Sequence, residues 1–242
     1  MNQDKKEYKA PPWENDEVYF GRVVQVIDLG LQDGGEYQGE KKRDSEQVLL
    51  TFEFNEVRNE DDKPCWLSVF LSLPERWENG NFKGMHVKSN IYKYLNMLVP
   101  EELYTGGNNT SYVNFGYNFS WDKLLNKPLQ LKVKVNDEGR ARIVDATKVG
   151  KKFLDQVAEL ENTPVVIDME SVMLDQWKEI YPWVRKLIGN SLDESVANKA
   201  KELDASVREV PEQKPKAVPK KKSQKEYKEE LDEVPFDDEL PF

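Results

Sequence analysis

The chain has one cysteine, Cys65, and one histidine, His86. A single thiol can build neither a disulfide framework nor a thiolate metal cluster, and it gives no reason to infer secretion. The lone imidazole has no Ser or Cys partner in a catalytic motif. There is no Walker phosphate loop, no HExxH pair and no Gly-rich dinucleotide turn. Carboxylate pairs such as Asp168 and Glu170 could in principle ligate Mg²⁺, but among 45 acidic residues such pairs arise by chance. The chain therefore reads as a non-catalytic protein that needs no cofactor and no metal. It also lacks any uncharged apolar run approaching ~18 residues, and the charged start Met1–Lys6 is followed by no apolar signal region. The expectation is a cytoplasmic protein with no membrane partner.

Charge is what the chain has in quantity, and it is unevenly spread. Charged residues make up 33% and hydrophobic residues 38%, with a net charge of −10. That balance is polar for one packed globule and predicts a portion that does not fold. Residues 1–150 carry 20 Lys and Arg against 24 Asp and Glu, and residues 151–213 carry 8 against 13. Residues 214–228 then carry 7 against 1, and residues 229–242 carry none against 7. An acidic protein meets a polyanion only through a local basic groove, so any nucleic-acid site must be sought as a cluster. The basic and acidic segments side by side predict fold-back of the tail when no polyanion is bound.

Residues 1–17 are polar, interrupted by Pro11-Pro12-Trp13, and read as an N-terminal arm. Residues 18–31 are rich in β-branched and aromatic types and predict a long strand, with Gly21 and Gly30 as bends. A long Gly-rich, charged loop runs from Gln32 to Glu46. Gln47–Arg58 alternates, with Val48, Leu50, Phe52 and Phe54 on one face and Leu49, Thr51, Glu53 and Asn55 on the other. The turn 59–64 closes a hairpin onto Cys65–Leu73. There Leu67, Val69, Leu71 and Leu73 face inward, while Trp66, Ser68, Phe70 and Ser72 face outward. Helical spacing covers 87–98 and stops near Pro100. Residues 104–119 read as a Gly/Asn/Tyr loop, and Ser120 as the N-cap of a short helix, Trp121–Asn126. Leu129–Val135 and Arg140–Val149 form a last hairpin around the turn 136–139.

Five short strands with a helical element between the third and fourth are the layout of a mainly β protein, a five-stranded OB-fold barrel with a helical insertion over residues 18–150. A generic small barrel and an SH3-like fold are the competing readings. Residues 151–208 read as a helical segment packed on or near the barrel, with helices at Lys151–Asn162, at Met169–Gly189 (broken near Pro182) and at Ser191–Arg208. Trp177 and Trp183 are expected in its core, and self-association is the other use for such a segment. Pro211, Pro215 and Pro219 alternate with lysines, so residues 209–242 read as a disordered basic linker ending in an acidic tip.

That tip is Asp237-Asp238-Glu239-Leu240-Pro241-Phe242, echoed by Asp232-Glu233-Val234-Pro235-Phe236. An apolar end held on an acidic leash serves no core, and proline lowers the ordering cost when a partner takes the ring. A solubilising acidic tail is the plainer reading, but it has no need of Leu-Pro-Phe at its last three positions. The tip resembles that of bacterial single-stranded DNA-binding proteins. The run Val23–Gly30 with the Lys-rich loop after it, the hairpin ending Leu71-Ser72-Leu73, and Leu124–Pro128 leading into the fourth strand resemble a phage single-stranded DNA-binding family with an OB fold. The similarity covers roughly residues 18–150, and a fainter one continues around Trp177–Leu187. The resemblance implies a protein that coats single-stranded DNA in the host cytoplasm of a phage-infected bacterium. It also implies recruitment of replication, recombination or repair proteins through the tip residues Asp237, Asp238, Glu239, Leu240, Pro241 and Phe242. The longer 104–119 insertion departs from that family's pattern.

Binding a single strand without sequence preference takes cations for phosphates and aromatic faces for bases. Trp66 and Phe70 share the outward face of the third strand. Lys41, Lys42 and Arg43 sit in the first loop, and Lys132 and Lys134 on the outward face of the fourth strand. Arg22 and Tyr37 complete the candidate set. The bland reading packs both rings beneath the insertion and leaves the lysines merely solvated. The alternative function is a replisome adaptor or recombination mediator whose OB domain binds protein instead of DNA.

Overall fold

The computed structural model describes residues 13–105 and 111–209, the side chains of Tyr37, Arg208 and Glu209 aside. The strands are β1 (Val18–Gln32), β2 (Glu36–Tyr37), β3 (Glu40–Lys41), β4 (Ser45–Arg58), β5 (Pro64–Ser72) and β6 (Met85–His86). Helix α1 (Asn90–Leu98) precedes β7 (Leu103–Tyr104), β8 (Tyr112–Phe115), β9 (Pro128–Val135), β10 (Ala141–Lys148) and β11 (Val165–Ile167). Three helices follow: α2 (Leu174–Glu179), α3 (Pro182–Gly189) and α4 (Glu194–Glu209). The protein is mainly β, built on a large antiparallel sheet of order β10–β9–β1–β4–β5, with β11 added parallel to β1.

β1 explains that order. Its residues 22–32 pair with β4 along one edge. On the other edge, Val18–Arg22 pair with β9 and Gln25–Ile27 pair with β11. A strand covered on both faces needs no alternation, and Val23, Val24, Val26, Ile27 and Leu29 are all buried. The bend expected at Gly30 is a bulge: the register slips between Asp28 and Gly30, whose φ of +70° only glycine adopts cheaply. The Asp28 carboxylate accepts the Gly30 N–H at 2.8 Å.

One face of the sheet carries the expected core, with Val48, Leu50, Phe52 and Phe54 packed against Leu129, Leu131, Val133 and α1. Helix α1 starts at Asn90, later than its apolar spacing begins, because Ser89 caps it by accepting the Tyr92 N–H. Its Ile91, Tyr94, Leu95 and Leu98 are buried. β5 and β10 end the strand order, and the cleft between them is lined by Phe70, Lys93, Tyr94 and Val144. Burial pushes the Tyr94 phenol up to about 12, with the Asp145 carboxylate adding to the shift. The unfolded phenol ionises near 10, so the neutral-tyrosine stabilisation is complete below pH ~10 and fades as pH rises towards 12. A shift of that size is worth ~3 kcal/mol. Tyr94→Phe should therefore flatten the alkaline limb of a stability–pH curve measured by urea unfolding.

The opposite face departs from expectation. Leu49, Thr51 and Glu53 are buried as completely as the core face of β4. Leu49, Ile27 and Leu29 form a second core with Ile167, Trp177, Ile180, Val184 and Ile188. Residues 157–164 are no helix: a 3₁₀ turn over Lys151–Gln156 is followed by an extended strap that ends in β11. The strap is tied across β4 by side chains of the sheet. Arg22 donates to the carbonyls of Ala158 (2.7 Å) and Val157 (3.1 Å), Asn55 to that of Glu159 (2.9 Å), and Arg58 pairs with Glu161 at 2.5 Å. The Glu53 carboxylate accepts from the Glu161 N–H (2.7 Å), the Asn162 amide (2.7 Å) and the Trp66 indole (3.1 Å). Glu53→Ala strands three donors at ~1–3 kcal/mol each. Its urea midpoint should fall sharply with the slope unchanged, and Glu53→Gln should recover part of the loss.

The insertion is also more ordered than a loop. β6, β8 and β7 form a three-stranded sheet over part of 104–119. The expected helix after Ser120 is a single 3₁₀ turn, Trp121–Leu124, and Ser120 donates to the Asp122 carboxylate instead of capping the backbone. Among the described residues, no helix is long and apolar enough to cross a membrane. Residues 210–242, with the basic linker and the tip, lie outside the described residues.

Candidate nucleic-acid interface

The outward face of β5 presents Trp66, Ser68, Phe70 and Ser72 in alternation, and the structure assigns them unequal tasks. Trp66 is half-buried: its indole N–H is spent on Glu53, and its ring meets Tyr181 edge-on at 6.2 Å. Ser68 shares a hydrogen bond with Thr51 at 2.9 Å. Phe70 is 49% exposed, and its ring lies 6.3 Å from that of Trp183, which is also 49% exposed. α3 delivers the second ring. Pro182 opens the helix where a missing N–H costs nothing, and Val184 and Ile188 point into the second core. Trp183, one residue away, is turned out of that face. The expectation of two core tryptophans thus holds for Trp177, which is fully buried and donates to Asp204 at 2.9 Å, and fails for Trp183.

Past Ser72 the same face opens into a groove of about 630 Å³. One wall is the hairpin 75–83, closed by Trp77 N–H to Asn81 at 2.7 Å and Gly80 N–H to Trp77 at 2.9 Å. Arg76 holds this hairpin in place, with two nitrogens on Glu46, one on the Gly80 carbonyl, and its guanidinium 3.9 Å from the Phe82 ring centroid. Trp77 itself is 58% exposed. The other wall carries Tyr112, edge-on to His86 at 5.3 Å. The Lys88 N–H donates to His86 Nδ1 at 3.0 Å, which leaves the ring proton on Nε2. At the mouth, Glu75 pairs with both Arg43 and Lys83, and Lys83 Nζ lies 5.0 Å from the Trp77 ring centroid. The Lys83 hydrogen bond, then the Arg43 charge, hold the Glu75 carboxyl below the usual range.

Arg43 reaches the groove because the loop 33–44 folds back on itself. A Cβ at Gly34 would stand 2.3 Å from the Arg43 carbonyl oxygen, so only glycine permits the crossing. Lys41 and Lys42 are exposed on the same loop, whose β2 and β3 form a small ladder. Tyr37 belongs to β2, and its side chain lies outside the described ones.

The remaining candidates are placed elsewhere. Arg22 is a strut beneath the strap, its side chain 12% exposed and bonded to Ala158, Val157, Asn126 and Glu159, so it is spent on folding. Lys132 pairs with Asp16 at 3.2 Å, and Lys134 stands opposite Arg142 on the β9–β10 ladder. Asp237, Asp238, Glu239, Leu240, Pro241 and Phe242 lie outside the described residues.

Sequence reasoning missed Trp77, Lys83, Tyr112, Tyr181 and Trp183. A usable signal was present at Trp77, which stands just before the turn former Asn79-Gly80, where a large ring has no core to enter. Tyr104 and Tyr117 are likewise exposed and stacked, 5.9 Å apart at 17°. The chain matches no family model, no curated protein and no solved structure.

Proposed function

We propose that this chain is a single-stranded DNA-binding protein that coats its ligand without sequence preference and recruits replication, recombination or repair proteins through the tip 237–242. Its sheet is taken as an OB barrel in which the β5 and β10 edges approach one another across the Phe70–Val144 cleft, with α1 at the base between the third and fourth strands of the barrel. The observation that carries the reading is the row of exposed rings on one face, Phe70 with Trp183 beside it, leading into a groove that carries Trp77 and two cations. Exposed rings offer stacking to any base, and the cations take phosphates, so affinity comes without base identity. No catalytic chemistry is needed for this task.

Intrinsic tryptophan fluorescence tests it directly. Oligo-dT should quench Trp183 and Trp77, with an affinity that falls steeply as salt rises. A protein that shows no salt-dependent quenching is not a single-strand binder, and its exposed rings then belong to an adaptor that binds protein. Charge reversal at Lys41 and Lys42 should lower affinity and flatten the salt slope by ~0.7 for each phosphate that is no longer neutralised. An unchanged slope moves the phosphate path off this loop.

A further inference from the structure

We propose that the groove between the 75–83 hairpin and β8 holds one nucleotide of the bound strand, its base on the Trp77 ring and its phosphate replacing the Glu75 carboxylate between Arg43 and Lys83. The inference rests on the single-strand reading and adds a defined subsite to it. Three observations meet here. The hairpin is anchored through Arg76 and Phe82, so the exposure of Trp77 has no packing role to explain it. Two cations share one carboxylate at the mouth, which leaves the cluster one positive charge in excess. The groove also continues the β5 face, because Ser72 lines it and Phe70 is the next outward residue, ~6.6 Å away along a strand. Its volume suits a small ligand with one flat ring.

In this arrangement Glu75 is a resident anion. It holds the two cations at a spacing that one small anion can bridge, and it must give way when a phosphate arrives. Once displaced, it takes up a cation from solution, so net counterion release on binding is smaller than the neutralised phosphates alone would give. Removing a negative charge from an ordinary surface position raises affinity for DNA weakly. Removing this one vacates the phosphate position itself.

The test titrates the full chain with oligo-dT of ~20 nucleotides, longer than the ~4–16 that one OB fold covers. Glu75→Gln is expected to tighten binding several-fold at low salt and to steepen the salt slope. Trp77→Ala is expected to weaken binding ~5- to 150-fold, the worth of one stacked base, with an unchanged melt. Phe70→Ala serves as the reference on the β5 face. If Phe70→Ala weakens binding while Trp77→Ala and Glu75→Gln leave it unchanged, the groove inference is overturned and the single-strand reading stands. If the unaltered protein does not bind oligo-dT, both are overturned. Should Trp77→Ala melt early, the affinity and slope of Glu75→Gln decide alone, and weaker or unchanged binding overturns the inference.

Discussion

Replacing Phe70 and Trp183 together with alanine is expected to cost oligo-dT binding ~2–6 kcal/mol, a loss of ~30-fold or more, while the protein stays folded. Each ring is half open to solvent, so little apolar burial is lost when it is removed. Exposed positions of this kind shift stability by about ±0.5 kcal/mol. Base stacking is worth ~1–3 kcal/mol per ring, so the binding loss far exceeds any effect on the fold. Trp66 is the informative contrast. Its indole satisfies the buried Glu53 carboxylate, and its ring props Tyr181. Trp66→Ala should lower the melting temperature first, so any loss of binding that it shows cannot be read as lost stacking. Equal melts and equal affinities for the Phe70→Ala/Trp183→Ala pair and the unaltered protein would remove this face from the DNA path.

Deletion of Asp237–Phe242 is expected to abolish capture of replication factors and to leave folding and DNA binding intact or strengthened. On the proposed function the carboxylates imitate phosphates and Phe242 imitates a stacked base, so the tail is expected to compete with the single strand for the same groove. The residues 229–242 carry seven carboxyl side chains and no cation, and the deletion removes three of them. The gain in affinity should therefore be largest at low salt, where screening is weakest. Removing Phe242 alone should nearly reproduce the loss of capture, since one buried ring commonly dominates a small interface. A deletion that sharply weakens oligo-dT binding while partners are still recovered would place the tail in the DNA site and end this division of labour.

The periodicity of β4, β5 and β9 was legible in the sequence because each has one face in the first core, and alternation reports one buried face well. It reports two buried faces poorly. Thr51 and Glu53 look like surface residues, and nothing local says that Glu53 will meet a strap from residues 157–164, since several of the ties to that strap run to backbone groups that any sequence could supply. The helix expected over 151–162 fails beyond Gln156 for the same reason: the backbone groups of Val157, Ala158, Glu159 and Glu161 bond to side chains of the sheet. At the site, Phe70 was legible from its place in the alternation. Trp183 was not, because apolar composition does not tell which side of a short helix a ring takes. Arg22 reads as a phosphate ligand by type, and only tertiary placement turns it into a strut. The 75–83 hairpin was passed over because its anchor, Arg76 on Glu46, joins residues thirty apart in the chain.

The parallel pairing of β1 with β11 also sets the order in which the chain can fold. Gln25 must wait for Val165, so β1 emerges well before the strand that completes its pairing. Until then β1, β4 and β5 can form hairpins and collapse around Phe52 and Phe54, but Ile27, Leu29 and Leu49 remain uncovered. Pairings this distant in sequence form slowly, and an apolar sheet face left waiting is where nascent chains stick to one another. Folding during synthesis is therefore the step at which this protein is most exposed to aggregation. A holdase chaperone that shields the β1–β4 face until Trp177 and Ile188 arrive should raise its soluble yield more than any change to the mature surface.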